Sequence, residues 1–130
     1  MSILNGIKSI DSFYYHTIAL NEDGSVWTWG YNSDGQLGNG SSSNSYTPVQ
    51  ISNLNNVRDV AAGMYHTTIL NEDGIVWAWG YNRYGQLGDG TTSRRYKPIQ
   101  VSNIININKI AAGAYHTVAL NEDGTVWAWG

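Results

Sequence analysis

The sequence has no cysteine, which excludes a disulfide framework and any thiolate metal site. That absence leaves the redox compartment open. Charge is scarce too. Asp, Glu, Lys and Arg make up 13% of the 130 residues, and the formal net charge is −3. A general nucleic-acid surface needs clustered Lys and Arg, so this balance argues against one. No run approaches the ~18 consecutive apolar residues of a membrane helix. Nucleic acid and membrane are therefore not expected partners. The opening Met1-Ser2-Ile3-Leu4-Asn5-Gly6 lacks a basic region followed by an apolar run, and does not read as a secretory signal. The compartment stays unassigned. Phenylalanine occurs once, against six tryptophans and nine tyrosines. Rings with apolar bodies and polar tips suit packed sheets with wet edges.

What is present is a repeat. His16, His66 and His116 are spaced by 50 residues, as are Trp27, Trp77 and Trp127, and Trp29, Trp79 and Trp129. The pattern Tyr-His-Thr-x-x-Leu-Asn-Glu-Asp-Gly-x-Val-Trp-x-Trp-Gly occurs at 15–30, 65–80 and 115–130. A fixed period of this length marks a repeat architecture. We divide the single domain, 1–130, into repeats 6–55, 56–105 and 106–130, the last partial.

No segment carries a long helical period. Short strand-like runs alternate with Gly, Asn, Asp and Ser clusters, which predicts an all-β chain. The middle repeat predicts strands at Val57–Ala62, His66–Leu70, Val76–Gly80 and Pro98–Val101. The first predicts Ile7–Ser12, His16–Leu20, Val26–Gly30 and Pro48–Ile51, and the last Ile107–Ala112, His116–Leu120 and Val126–Gly130. Asn-Glu-Asp-Gly at 21–24, 71–74 and 121–124 joins strands two and three. Its Gly accepts positive φ, as a type I turn with a G1 bulge requires. Its Asn can bond the backbone two residues on. In Val-Trp-x-Trp-Gly both indoles share one face of the strand, and smaller residues take the other. Stacked sheets can nest the large face against the small one, and this alternation predicts buried tryptophans. Four-stranded units at this period are what propeller blades look like. The expected fold is a β-propeller: two full blades of four antiparallel strands, and a third lacking its outer strand.

The combination Gly63-x-x-His66-Thr67, Leu70, Asp73-Gly74, Val76-x-x-Trp79-Gly80, Asn82 and Gly85-Gln86-Leu87-Gly88 resembles the repeat of the regulator of chromosome condensation. The resemblance covers nearly the whole chain and implies a seven-bladed β-propeller. It implies function less sharply. Some members exchange guanine nucleotide on a small GTPase, some bind chromatin, and a bacterial β-lactamase inhibitor uses the scaffold as a protein-binding surface. Seven such blades need about 350 residues. The ring is therefore expected to be completed by missing sequence or by further copies of the chain. A bare blade face of roughly 400 Å² would gain about 10 kcal/mol on burial. This predicts a homo-oligomer joined head to tail, with two chains in a six-bladed ring as the simplest count.

Chemistry-bearing residues are few. His16, His66 and His116 invite a metal, but one His per blade puts neighbours about 10 Å apart. Direct metal bonds are near 2 Å, so each His is read as anchoring a turn or an inter-blade hydrogen bond. Glu22, Asp23 and their copies sit in like turns, whereas paired catalytic acids need unlike surroundings. Gly35-Gln36-Leu37-Gly38 and Gly85-Gln86-Leu87-Gly88 lack the ending of a phosphate loop and read as packing corners. Leu37 and Leu87 are expected beneath the tryptophans, with the Gln amides capping backbone groups.

Positions fixed by packing should agree between copies, and positions free to serve a partner need not. By that contrast Arg83, Tyr84, Arg94, Arg95, Tyr96 and Lys97 form the candidate contact patch, since Arg and Tyr are common interface anchors. No catalytic constellation, cofactor site or metal site is expected. The leading reading is a non-enzymatic scaffold that binds another protein through its loop face. One alternative is a structural or designed repeat fragment that self-assembles into a closed propeller. Another, by resemblance, is exchange-factor-like activity on a GTPase. Glycan binding would require exposed tryptophans.

Overall fold

The computed structural model describes residues 4–54 and 56–130. Met1–Ile3, read above for a signal, and Asn55, which ends the first repeat, lie outside the described residues. The first repeat supplies β1 (Ile7–Phe13), β2 (His16–Asn21), β3 (Val26–Gly30) and β4 (Ser45–Gln50). The second supplies β5 (Val57–Ala62), β6 (His66–Asn71), β7 (Val76–Gly80) and β8 (Arg95–Gln100). The third supplies β9 (Ile107–Ala112), β10 (Thr117–Asn121) and β11 (Val126–Trp129). They form antiparallel sheets in the orders β1-β2-β3-β4, β5-β6-β7-β8 and β9-β10-β11. The chain is thus all-β: two four-stranded blades and one three-stranded blade of a propeller.

Local chemistry makes the hairpins. The Gly24 N–H donates to the Asn21 carbonyl at 2.9 Å, and the Asn21 N–H to the Ser25 carbonyl at 2.9 Å. The Asn21 Oδ1 accepts from the Asp23 N–H at 3.3 Å, two residues on. Gly24, Gly74 and Gly124 hold φ of 84°, 78° and 90°, in a region that side-chain-bearing residues rarely adopt.

The blades stack large face to small face. Ile18, Leu20 and Val26 of the first blade pack with Val60, Ile69 and Trp79 of the second. Leu70, Val76 and Ala78 of the second pack with Ile110 and Ala119 of the third, with Trp129 against them. The indoles of one blade therefore point back at the blade before it. β5 lies against β1 and β9, which puts the first strand of each blade at the narrow side of the fan.

Three expectations need correction. The outer strands begin earlier than Pro48 and Pro98, at Ser45 and Arg95. Gly30 pairs with Ser45 and Gly80 with Arg95, after a register shift that sets one residue of β3 or β7 against three of β4 or β8. An outer strand needs no apolar alternation and tolerates proline, so its polar first half looked like loop. Within the third blade, β10 starts at Thr117 rather than His116, and β11 ends at Trp129. Nor are the tryptophans uniformly buried. Trp79 is fully buried, whereas Trp127 is 48% exposed. Trp77, the equivalent of Trp127, is half-buried with β8 at its side, and no described strand lies beyond β11.

Replacing Trp79 with Ala removes a fully buried ring and is expected to cost about 3–5 kcal/mol. The same change at Trp127 should cost under about 1 kcal/mol. Urea unfolding followed by circular dichroism checks the pair, and equal losses would contradict the stacking described.

Candidate functional site

Several polar groups pair across the blade junctions, while His16 Nδ1, His66 Nδ1, Gln36 Nε2 and Gln86 Nε2 are buried without a partner among the described residues. The His16 Nε2 lies 3.0 Å from the Thr67 Oγ1, across the junction. The Thr67 hydroxyl donates to the Gln36 carbonyl at 2.7 Å, so its oxygen serves as acceptor toward the imidazole. In that arrangement His16 donates through Nε2, which leaves its buried Nδ1 without a partner among the described residues. The next junction repeats this with His66, Thr117 and Gln86, at 3.1 and 2.8 Å. The same Gln carbonyls accept the indole N–H of Trp79 and Trp129, at 2.9 and 3.0 Å. His16 and His66 thus make inter-blade bonds, while His116 is exposed on the last blade. Among the described residues no three His, Asp or Glu side chains are placed to share a metal.

The ring of His66 lies so close to Gly63 that a Cβ there would collide with it. The first blade carries Phe13 at the equivalent position and turns differently, with Tyr14 at φ 55°. Burial pushes the imidazoles down, His16 to about 4 and His66 to about 3. For His66 the neighbouring His16 and His116 add to the effect; for His16 a backbone hydrogen bond and Asp11 oppose it.

The glycine corners hold their loops through side-chain amides. The Gln36 Oε1 accepts the Asp34 N–H at 2.9 Å, and the Gln86 Oε1 accepts the Tyr84 N–H at 3.0 Å. Leu37 and Leu87 are fully buried, Leu87 in the cluster that Trp129 borders. Asn32, not singled out from sequence, is the hub. Its Oδ1 accepts the Leu37 N–H at 2.9 Å, and its Nδ2 donates to the carbonyls of Ser41 and Ser43, each at 2.9 Å. Asn82 does the same in the second blade. At the opposite ends of the blades, the Ser25 hydroxyl and N–H donate to Asp23 at 2.6 and 2.9 Å and hold its carboxyl below the usual range. These carboxylates serve their turns.

Above the corners runs a belt of tyrosines. All but Tyr46 and Tyr96 of the nine belong to it. Ring centroids step from Tyr15 to Tyr31 at 5.9 Å, to Tyr65 at 6.3 Å, to Tyr81 at 6.1 Å and to Tyr115 at 6.5 Å. Tyr14 and Tyr84 flank this path, at 5.0 Å from Tyr15 and 5.3 Å from Tyr115. Tyr15 is 61% and Tyr84 56% exposed. Two open furrows border the belt. One, of about 350 Å³, is lined by Tyr15, Tyr31, Asn44 and Tyr46. The other, of about 430 Å³, is lined by Tyr81, Asn82, Arg83, Thr92 and Arg94.

The sequence-predicted patch divides here. Arg83, Tyr84 and Arg94 stand at the tyrosine end, with Arg83 and Arg94 in one furrow. Arg95, Tyr96 and Lys97 are strand residues of β8, not loop. Arg94 reaches Asp34 of the first blade at 3.1 Å, and Arg95 pairs with Asp89 at 2.8 Å. The Tyr96 carbonyl accepts the Gly40 N–H at 2.8 Å, and Lys97 lies beside the same glycine. Some of the variation between copies therefore reflects the blade junction. In the first blade Asn44 accepts the Asn32 N–H at 2.8 Å; its counterpart Arg94 spans to the neighbouring blade instead. The two ends also differ in charge. The tyrosine end has Arg83, Arg94 and Arg95 against Asp34 and Asp89, while the hairpin end has Glu22, Asp23, Glu72, Asp73, Glu122 and Asp123 against Lys8, Arg58 and Lys109 on the adjoining first strands.

A buried neutral imidazole binds fewer protons than the unfolded chain, so stability is full above about pH 6.5 and falls as pH drops toward the folded values. Below 6.5 the loss is about 1.4 kcal/mol per pH unit for each of His16 and His66. The melting temperature should fall steadily from pH 7 to pH 5, and His66→Gln should remove about half of that slope. An unaltered slope in the variant would contradict the assignment.

The family model described as the regulator of chromosome condensation (RCC1) repeat matches residues 23–70 and 73–120, and a second model of the same description matches 7–36 and 57–86. Among curated proteins, the Ras guanine nucleotide exchange factor C of Dictyostelium discoideum is 57% identical over 37 residues, 28% of this chain and 2% of that protein. The ultraviolet-B receptor UVR8 of Arabidopsis thaliana is 40% identical over 45 residues, 35% of this chain and 10% of the receptor. Human WBSCR16 superposes with a TM-score of 0.90 and 26% identity, over 100% of this chain and 34% of that one. Prp20p of Saccharomyces cerevisiae superposes with a TM-score of 0.85 and 27% identity, over 98% of this chain and 34% of that one. The chain thus spans about a third of the solved structures it matches and a tenth or less of these curated relatives. With both the repeat and its blade geometry matched, the chain belongs to the RCC1 repeat family.

Proposed function

We propose that this chain is a non-catalytic part of a propeller that binds another protein, with the tyrosine end as the binding face. The carrying observation is the continuous belt from Tyr15 to Tyr115, bordered by Arg83 and Arg94. Tyr and Arg are enriched among residues that dominate interface energies, because each offers a large contact area with a polar tip. The described titratable groups support binding more than catalysis: His16 and His66 are held neutral at the junctions, and Asp23 and Asp123 are tied to their turns. Related propellers add weight. Yeast RCC1 (Prp20) has been solved with Kap60, and Prp20p is described with binding properties toward Gsp1p and histones. Of the sequence-derived patch, Arg83, Tyr84 and Arg94 belong to this face; Arg95, Tyr96 and Lys97 form its flank.

A second reading is head-to-tail self-association, with a dimer as its simplest form. Ile10 on the first blade is 62% exposed and Val126 on the third 64% exposed. His116 is exposed, whereas His16 and His66 are buried against a threonine of the following blade. Thr17 on a second copy offers the matching hydroxyl.

The combined change Arg83→Glu, Tyr84→Ser and Tyr115→Ser should weaken capture of a protein partner at least tenfold. Glu72→Lys with Asp73→Lys, at the opposite end, should leave it unchanged. Affinity capture with quantitative mass spectrometry compares the two. Partners lost with the second variant and kept with the first would contradict the proposal.

A further inference from the structure

We propose that Tyr84 and Tyr115 form an oxidative modification site, where a one-electron oxidant joins the two rings by a carbon–carbon bond and so ties the second blade to the third. The proposal goes beyond the binding reading above and needs no protein partner.

The first ground is proximity. The Tyr84 and Tyr115 ring centroids are 5.3 Å apart, with the planes at 75°. Among the described residues the other tyrosine pairs not consecutive in sequence lie at 5.9 Å or more. Tyr14 and Tyr15 are closer, at 5.0 Å, but they are neighbours in the chain. A bond between their ring carbons would close a small, strained ring through one peptide unit.

The second ground is access. Tyr84 is 56% and Tyr115 40% exposed, so an oxidant reaches both. Among the described residues the one tyrosine hydroxyl in a hydrogen bond is that of Tyr96, 3.4 Å from Arg94. The hydroxyls of Tyr84 and Tyr115 are therefore free to lose a proton to solvent.

The third ground is the frame. Gln86 holds both members of the pair. Its Oε1 accepts the Tyr84 N–H at 3.0 Å, and its carbonyl accepts the hydroxyl of Thr117, two residues beyond Tyr115, at 2.8 Å. The Ala114 carbonyl, just before Tyr115, accepts the Met64 N–H at 3.1 Å. The two backbones are thus fixed across the junction, while exposed side chains still turn about their own bonds. Two groups held together in this way react with each other ahead of a second molecule.

The first junction carries the same frame without the second phenol. Gln36 accepts the Asp34 N–H at 2.9 Å and the Thr67 hydroxyl at 2.7 Å. Tyr65 stands there as Tyr115 does in the next blade, but Asp34 occupies the place of Tyr84.

The chemistry balances as follows. Each phenol gives one electron to the oxidant and its hydroxyl proton to solvent. The two phenoxyl radicals join at ring carbons ortho to the oxygens. The hydrogens on those carbons then move to the oxygens and restore two phenols. A haem peroxidase acting with hydrogen peroxide is an oxidant of the required class. One peroxide takes up the two electrons and two protons and leaves as two waters.

The test treats the dilute full chain with a haem peroxidase and limiting hydrogen peroxide. Dityrosine fluorescence, denaturing gels and mass spectrometry of the digested product read the outcome. The fluorescent product should keep the mass of a single chain, and Tyr84 should be linked to Tyr115. Tyr84→Phe and Tyr115→Phe, which keep the rings, should each lower single-chain dityrosine about tenfold or more. Asp34→Tyr should add a second link, to Tyr65. Tryptophan fluorescence before oxidation, reporting the buried Trp79, confirms that each variant is folded. The proposal is overturned by the absence of a Tyr84–Tyr115 link, by links between chains only, by undiminished dityrosine in Tyr84→Phe, or by an Asp34→Tyr chain that gains no second link.

Discussion

The junction between blades depends on one backbone carbonyl per corner. The Gln36 carbonyl takes a threonine hydroxyl and an indole N–H from the next blade, and Gln86 does the same. A buried acceptor left alone would cost about 1–3 kcal/mol, so the two donors make the apolar interface tolerable rather than merely decorating it. The threonine, having given its proton to the carbonyl, must receive one from the histidine. Desolvation then keeps that imidazole neutral. The His-Thr order and the Trp two residues after the first indole follow from this one arrangement, as does Gly63 against the His66 ring in the second blade.

The surface follows from the same constraint. The histidine starts or immediately precedes strand two, so the residue before it stands at the blade end, and that residue is Tyr15, Tyr65 or Tyr115. The strand carrying the indoles ends in glycine, and Tyr31 and Tyr81 come next. Stacking the blades therefore lines up rings from separate turns into one belt. The acidic hairpins lie at the other end of each blade for the same topological reason. A tyrosine-rich end and an end of acidic hairpins are consequences of how one repeat is oriented, multiplied by stacking.

Much of the fold was legible from sequence. The 50-residue period, the Asn-Glu-Asp-Gly turns and the paired indoles mark the blades; the inter-blade bond expected of each histidine is made by His16 and His66, while His116 is exposed. The outer strands were misplaced because an edge strand beside solvent shows no apolar alternation and can begin with Ser45 or Arg95. Burial of Trp127 was misjudged because alternation gives the face of a residue but not what covers it. The belt was missed for a different reason. Repetition was read as packing, yet Tyr65, Tyr115, Tyr31 and Tyr81 recur because strand ends recur, and strand ends reach the surface. Variation between copies selects Arg83, Tyr84, Arg94, Arg95, Tyr96 and Lys97, of which Arg83, Tyr84 and Arg94 stand at the tyrosine end. Part of that variation has a local cause, since Arg94 pairs with Asp34 across the blade junction and Arg95 with Asp89 in its own blade's loop.

The most direct test of the junction is the tautomer of its histidines, read by nitrogen-15 NMR of the imidazoles at pH 7. The account predicts that His16 and His66 are neutral with the proton on Nε2, and that this proton exchanges slowly with water and correlates with Thr67 or Thr117. An Nδ1-protonated ring, or a rapidly averaging one, would contradict it.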